Sequence, residues 1–397
     1  MSYRQPPPAP RRPVGYGSTR KMEVPPVGPG PNGPYQRPQG HPTRGRPGPY
    51  GQQDMRRGMP GGPQGPPPGG YPPGTQGGGP PPRRRRRTGR IVAIVLLIPV
   101  LLLVGILVYL ETSLNRVDAI ADYEGRPAAA EGTNWLIVGS DSREGLSPEE
   151  QARLTTGDTA GRRTDTIMIA HVPDNDTPPT LVSLPRDSNV AIPGHGVNKI
   201  NAAFSFGGPQ LLARTVEQAT GLRIDHYAEI GFGGFAGIVD AVGGVPMTID
   251  KEMHDTVTGA TIPAGAQTLD GAQALAFVRM RHSSATLRSD LDRVVNQRRF
   301  IGALAGEVAS PGTLLNPFDV FPLVGSVPDA LTIGDGDHLW HLAGLGLAMR
   351  GIADGGMVTT TVPVTDGSAT KWDKAKSTQL FDALRADTPI PAGAIYN

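Results

Sequence analysis

The sequence predicts an α/β protein: an α/β/α sandwich with a mixed central sheet, preceded by a disordered tail and one transmembrane helix. Three observations predict it. The composition changes abruptly near residue 90, an uncharged apolar run fills residues 91–110, and beyond it short β-branched segments alternate with amphipathic helical ones.

The tail comes first. Residues 1–90 are rich in Pro, Gly, Gln and Arg and nearly free of aliphatic side chains. Such a segment cannot bury enough apolar surface to offset the entropy of ordering, which predicts disorder. It holds sixteen Lys and Arg against two acidic residues, or +14; the whole chain carries +2, so the remainder carries −12. Basic residues directly before an apolar span are the ordinary mark of a cytoplasmic flank, so no nucleic-acid partner is predicted.

Residues 91–110 are twenty positions without a charge. At about 1.5 Å per residue they span roughly 30 Å, the thickness of a bilayer core. A cleavable signal would lie at the N-terminus and be shorter. Arg83–Arg87 and Arg90 precede the run and Glu111 follows it. The positive-inside rule then gives a single-pass type II protein of the cell membrane, tail in the cytoplasm and residues 111–397 outside. Tyr109 suits the outer interface. The absence of cysteine fits an exported domain without disulfides and equally a cytosolic one. Residues 111–132 read as a stalk and 133–397 as the extracellular domain.

Within that domain "NWLIVGSDS" (134–142) is a buried strand and "TDTIMIAHV" (164–172) a second. "TLVSLP" (180–185) is a third, joined to the second by a short "DTPP" turn, which predicts a hairpin and therefore a mixed sheet. "NKINAAFSFGG" reads as a short helix or turn ended by Gly207 and Gly208, followed by a helix from Pro209 to Gly221. Strand, helix and strand follow in "IDHYAEIGF", "GFAGIVDAVGG" and "VPMTID". "DGAQALAFVR" is helical, and a long amphipathic helix starts after Ser289, the candidate N-cap. Later helices are read near 317–330, 336–351 and 371–386, with a strand at "MVTTTVPV".

Charges gather at the element ends. Asp141 and Arg143 follow the first strand, Arg163 and Asp165 flank the start of the second, and Arg186 and Asp187 end the third. Lys199 lies beyond a Gly/Pro turn. Arg279 and Arg281 sit two apart, and Asp290, Arg293 and Gln297 fall at i, i+3 and i+7, one helix face. Each alone reads as a solvated charge. Together, in a net-acidic domain, they point to an anion: open α/β sheets collect such ends in one crevice, and arginine's planar fork suits phosphate. The carboxylates either orient the arginines or hold a hard divalent cation. "GFGGF" lacks the context of a dinucleotide loop, no P-loop or "GxSxG" elbow occurs, and the eight histidines show no HxxxH spacing, so no zinc site is read.

"GSDSR", "RRTDTIMIAHV", "SLPRDSNVAIPGHGVNKINAAFSFGG", "IGFGGFAGIVDAVGGV" and "LDGAQALAFVRMRH…SDLDRVVNQRR", in this order, resemble the LytR–CpsA–Psr (LCP) family of cell-wall glycopolymer ligases. The resemblance runs from about 134 to 308 and continues to "WDKAKSTQLFDAL"; the Pro/Gly/Arg-rich tail is of actinobacterial type. It implies a membrane-anchored phosphotransferase that takes a glycopolymer from a polyprenyl-diphosphate carrier and joins it to peptidoglycan through a phosphodiester. It further implies that Arg163, Arg186, Arg279 and Arg281 bind the diphosphate, with Lys199, Arg293 and Gln297 in the same site. Asp141 and Asp165 would hold Mg²⁺, or Mn²⁺ in its place. Arg186, Asp290 and Arg293 would be catalytic, Asp290, Arg293 and Gln297 matching the family's DxxRxxxQ helix. The general base stays open between Asp187 and Asp290. The same residues would also suit a non-catalytic, lipid-diphosphate-binding regulatory protein, or a lipid diphosphatase.

Overall fold

The structure is a computed structural model; it describes residues 85–142, 146–154, 164–255, 259–280, 290–365 and 369–396. Helix α1 (Arg85–Ser113) covers the apolar run and extends past both its ends. Its segment Gly89–Ser113 is long and apolar enough to cross a bilayer, and its aliphatic side chains are exposed, as in a membrane anchor.

The remaining elements, in chain order, are β1 (Asn115–Val117), β2 (Thr133–Ser140), α2 (Pro148–Arg153), β3 (Thr164–Val172), β4 (Thr180–Ser183), β5 (Asn189–Ile192), β6 (Gly196–Lys199) and α3 (Ile200–Thr220). Then come β7 (His226–Ile230), α4 (Phe232–Ala241), β8 (Val245–Ile249), β9 (Met253–His254), β10 (Thr261–Ile262), β11 (Gly265–Leu269), α5 (Gly271–Arg279) and α6 (Asp290–Val308). The chain closes with α7 (Pro311–Leu315), α8 (Pro317–Ala330), β12 (Leu331–Gly334), α9 (Leu339–Asp354), β13 (Val358–Thr361) and α10 (Lys374–Arg385).

Seven strands form the central sheet in the order β1-β12-β7-β2-β3-β4-β13. It is mixed: β2 runs parallel to β7 and antiparallel to β3. The hairpin expected from "DTPP" is present, with Met168 opposite Ser183 and His171 opposite Thr180. Alternate side chains of the central strands enter two cores. Leu136, Val138, Ile167, Ile169 and Val182 pack against Leu212 and Val216 of α3 and Leu380, Phe381 and Leu384 of α10. On the other face Trp135, Ile137, Met168 and Leu181 meet Leu345 and Met349 of α9, with Ile301 and Ala305 of α6 beside them. The result is helix, sheet, helix, the predicted sandwich; with both faces covered, the strands read as continuous apolar runs rather than alternating ones.

Several short elements escaped the sequence reading. β1 lies in the segment read as a stalk and adds a parallel edge strand beside β12. The residues read as a turn after "PRD" form the β5–β6 hairpin. The double glycine does break α3: Gly207 is at φ −145° and ψ 22°, and Gly208 at φ 64°, a left-handed value that a residue without Cβ adopts freely.

Candidate active site

Ser140 pairs with Thr164 and Gly139 with Thr166, so the register slips at the end of β2 and Asp165 is the extra residue of a bulge. The bulge turns Asp165 out of the ladder, partly exposed, while Thr164 is fully buried and its hydroxyl contacts the Gly139 carbonyl at 3.0 Å. Glycine at 139 permits the approach; a Cβ there would meet the Thr166 Cβ at 2.9 Å. Asp141 follows Ser140 directly, so both carboxylates flank one pair of strand ends.

Past β4, residues 185–188 turn tightly, with the Ser188 N–H donating to the Pro185 carbonyl at 3.0 Å. The Arg186 guanidinium forms an ion pair with Asp165, and its Nε lies 3.6 Å from Asp187 Oδ2. Lys199 Nζ donates to Asp187 Oδ1 at 2.7 Å. The hairpin explains that meeting: it sets Lys199 opposite Asn189, two residues from Asp187. The first amides of α3 then close on the turn, Ile200 N–H to the Ser188 carbonyl (2.8 Å) and Asn201 N–H to the Arg186 carbonyl (3.2 Å). From outside, Trp372 Nε1 donates to Ser188 Oγ at 2.9 Å. Arg186 is therefore held by a carboxylate on each side, in a turn fixed by α3 and the C-terminal segment.

β7 ends alongside β2, Ile230 opposite Gly139, and α4 starts at once behind Gly231 with no side chain capping its free amides. Such a helix start favours an anion. The Arg279 guanidinium, at the end of α5, lies 4.5 Å above the Phe232 ring in the first turn of α4. Gln297 Nε2 donates to the Val278 carbonyl at 3.1 Å and so ties α6 to the residue before Arg279. Arg293, one turn earlier on α6, is buried on the same face. The structure thus brings Asp141, Asp165, Arg186 and Asp187 to adjoining strand ends of the sheet, Lys199 onto Asp187 from the β5–β6 hairpin, and Arg279 to the helix that follows β7. Arg163, Arg281 and the side chain of Asp290 lie outside the described residues.

The sequence reading passed over Arg298, next to Gln297. It is buried, its Nη1 has no hydrogen-bond partner among the described residues, and burial pushes its guanidinium down to about 10. Its only sequence signal is the "QRR" run; the helical face chosen, 290–293–297, pointed away from it. Asp141 and Asp165 lie on neighbouring strand ends, and their carboxylate oxygens are the donor type a hard divalent cation takes. Asp165 commits one oxygen to Arg186 and keeps the second outside that pair.

The LytR_cpsA_psr family model matches residues 111–388, which includes every residue named above. This chain belongs to that family. Among curated LytR–CpsA–Psr relatives it is similar to the probable cell wall biosynthesis protein LcpB of Corynebacterium glutamicum, 51% identical over 301 residues, spanning 74% of this chain and 70% of that protein. It is also similar to the polyisoprenyl-teichoic acid–peptidoglycan teichoic acid transferase TagU of Oceanobacillus iheyensis, 34% identical over 202 residues, or 49% of this chain and 58% of that one. Of solved structures, the LytR-Csp2A-Psr enzyme from Actinomyces oris superposes with a TM-score of 0.55 at 22% identity, covering 69% of this chain and 96% of its own, which shows a shared fold.

Proposed function

We propose that this chain is a membrane-anchored phosphotransferase that moves a glycopolymer from a polyprenyl-diphosphate carrier to peptidoglycan through a phosphodiester bond. The observation that carries this reading is the posture of Arg186, held between Asp165 and Asp187 with Lys199 on the same network. A guanidinium fixed in that way presents its remaining N–H groups in a set direction, so little entropy is lost when phosphate oxygens meet them. The family membership supports this substrate class, and the apolar α1 fits a domain held at a membrane, where a lipid carrier is found.

In the reaction an acceptor hydroxyl attacks the glycan-linked phosphorus. The P–O–P bond to the carrier breaks, polyprenyl monophosphate leaves, and the hydroxyl proton passes to a base. Arg186, Arg279 and Lys199 neutralise the two phosphates together with Arg163, Arg281 and Arg293, and Gln297 ties α6 to the end of α5 from which Arg279 projects. The start of α4 adds a fixed positive potential. Mg²⁺ held by Asp141 and Asp165 would offset the negative charge of the diphosphate as the P–O–P bond breaks. Asp187 already carries Arg186 and Lys199, and the base stays open between Asp187 and Asp290. The basic flank before α1 supports an orientation with residues 111–397 outside the cell; protease added to wall-stripped cells should then digest the domain and spare the tail.

Purified full-length protein in detergent, given a defined lipid-diphosphate saccharide and an acceptor glycan, tests the reading. Expected products are a glycan joined through one phosphate and polyprenyl monophosphate. Saccharide phosphate released without acceptor would mean a diphosphatase, and binding without turnover a regulatory module.

A further inference from the structure

At the opposite end of the same strands lies a second cluster, which spacing along the chain does not reveal because its members come from three elements. His226 opens β7 and pairs with Trp135 of β2. Asp337 follows β12, and His341 sits in the first turn of α9. Asp141 is six residues further along β2 than Trp135, roughly 20 Å at about 3.3 Å per residue, so this cluster is separate from the charged crevice.

One ring nitrogen from each histidine and one Asp337 oxygen lie within 4.8 Å of one another. Asp337 is buried and oriented by the backbone: its Oδ2 accepts from the Tyr227 N–H at 3.0 Å and the Gly334 N–H at 3.1 Å. That leaves Oδ1 to face inward, hydrogen-bonded to His226 Nδ1 and 3.8 Å from His341 Nδ1. Stacking on Trp135, with centroids 4.5 Å apart, fixes the His226 ring, and the His341 ring lies 4.4 Å away on its side. A carboxylate held by two amides with one oxygen aimed at two imidazole nitrogens is the arrangement that supports a metal ligand set.

We propose that His226, Asp337 and His341 bind one divalent cation of the Zn²⁺ class, with a water in the fourth position. Two nitrogens and one carboxylate oxygen suit that ion better than Mg²⁺, which demands oxygen. The ion displaces the hydrogen bond between His226 Nδ1 and Asp337 Oδ1. Coordination through His341 Nδ1 gives up the bond it now accepts from the His338 N–H at 3.3 Å. The ion then cross-links β7, the turn after β12 and the start of α9. The end of the membrane helix rests on that same start: Glu111 contacts His338 Nδ1 at 2.7 Å and accepts from the Leu339 N–H at 2.9 Å. The cation therefore stiffens the seat on which the anchored domain meets α1.

The test uses full-length protein in detergent, stripped with a chelator and titrated with Co²⁺ in excess Mg²⁺, which fills oxygen-only sites. The readouts are the visible absorption of four-coordinate Co²⁺ and the metal content after Zn²⁺ reconstitution. One equivalent is expected, with Zn²⁺ raising the thermal midpoint. His341→Ala should weaken binding at least roughly tenfold and remove the thermal response, and His226→Ala should do the same. His254→Ala and Asp165→Asn should keep the full equivalent. No absorption at one equivalent in the unsubstituted protein, binding retained in His341→Ala, or binding lost in Asp165→Asn overturns the proposal. If His226→Ala fails to fold, the half-exposed His341 decides.

Discussion

At the end of β2 and β4 the charged side chains lean on one another in series, Asp165 to Arg186 to Asp187 to Lys199, and Lys199 is more than half exposed. At the start of β2 and the end of β3 the polar groups are buried instead. His171 Nδ1 meets Asn134 Oδ1 at 2.9 Å, and its Nε2 comes within 2.8 Å of Asp387 Oδ1. Asp387 Oδ2 in turn accepts the Asp174 N–H at 2.7 Å. Both ends set aspartates against nitrogen-bearing side chains. The first keeps its cations at the surface, where a ligand can exchange for water. The second spends its hydrogen bonds on backbone and buried partners, and its role is to hold elements together.

The comparison is broken most sharply at Arg186. Arg186→Lys keeps the charge but loses the fork, and turnover of a lipid-diphosphate saccharide should fall by about 100-fold or more, roughly 2.7 kcal/mol in the transition state. The thermal midpoint should stay within a few degrees, because the pairs broken are partly exposed. Asp141→Ala should lower turnover by roughly tenfold to 100-fold while leaving lipid-diphosphate binding intact, since removing a carboxylate beside cations raises the local positive potential.

Gly139→Ala carries the comparison into the scaffold. The new methyl meets Thr166 at 2.9 Å, so a loss of about 1–3 kcal/mol is expected in a urea melt, together with disturbance of the Asp165 bulge.

At the buried end the test is pH. Burial pushes the His171 imidazole below its ordinary value, with Asp387 pulling the other way. The folded state holds it neutral, and the unfolded chain takes up the proton first as pH falls below about 6.5. Stability from this group is complete above that pH and declines below it, by at most about 1.4 kcal/mol per pH unit. Thermal midpoints between about pH 7.5 and 5 should fall, with a shallower slope in His171→Gln. A steeper slope in the variant would reverse the assignment. The smallest effect belongs to Lys199→Ala: stability within about 1 kcal/mol, and lipid-diphosphate binding weakened only a few-fold.

Much of the fold was legible because its signals are local. β3 occupies the segment read for it, the "DTPP" turn gave the hairpin, and the Gly207–Gly208 break fell where two glycines precede a proline. What escaped was short or assembled at a distance. β1 and β12 hold three and four residues and become strands only by pairing with each other and with β7. Charges at strand ends pointed to the crevice, and the motifs named its chemistry. The partners of Arg186, however, depend on a one-residue bulge and on a hairpin of two four-residue strands. The His226–Asp337–His341 cluster left no periodic trace, since sequence spacing registers ligands on one element and these lie on three.

The central claim is that arginines grip the diphosphate while the carboxylates serve the chemistry. Binding and transfer should be measured side by side on one lipid-diphosphate saccharide for the unsubstituted protein, Arg186→Lys and Asp141→Ala, with and without Mg²⁺. The account predicts that Arg186→Lys loses both binding and transfer, whereas Asp141→Ala binds as well as the parent and transfers poorly, as the parent does without Mg²⁺. Transfer by Asp141→Ala at the parental rate, unchanged by chelator, would contradict it and leave Asp141 and Asp165 as no more than props for the arginines.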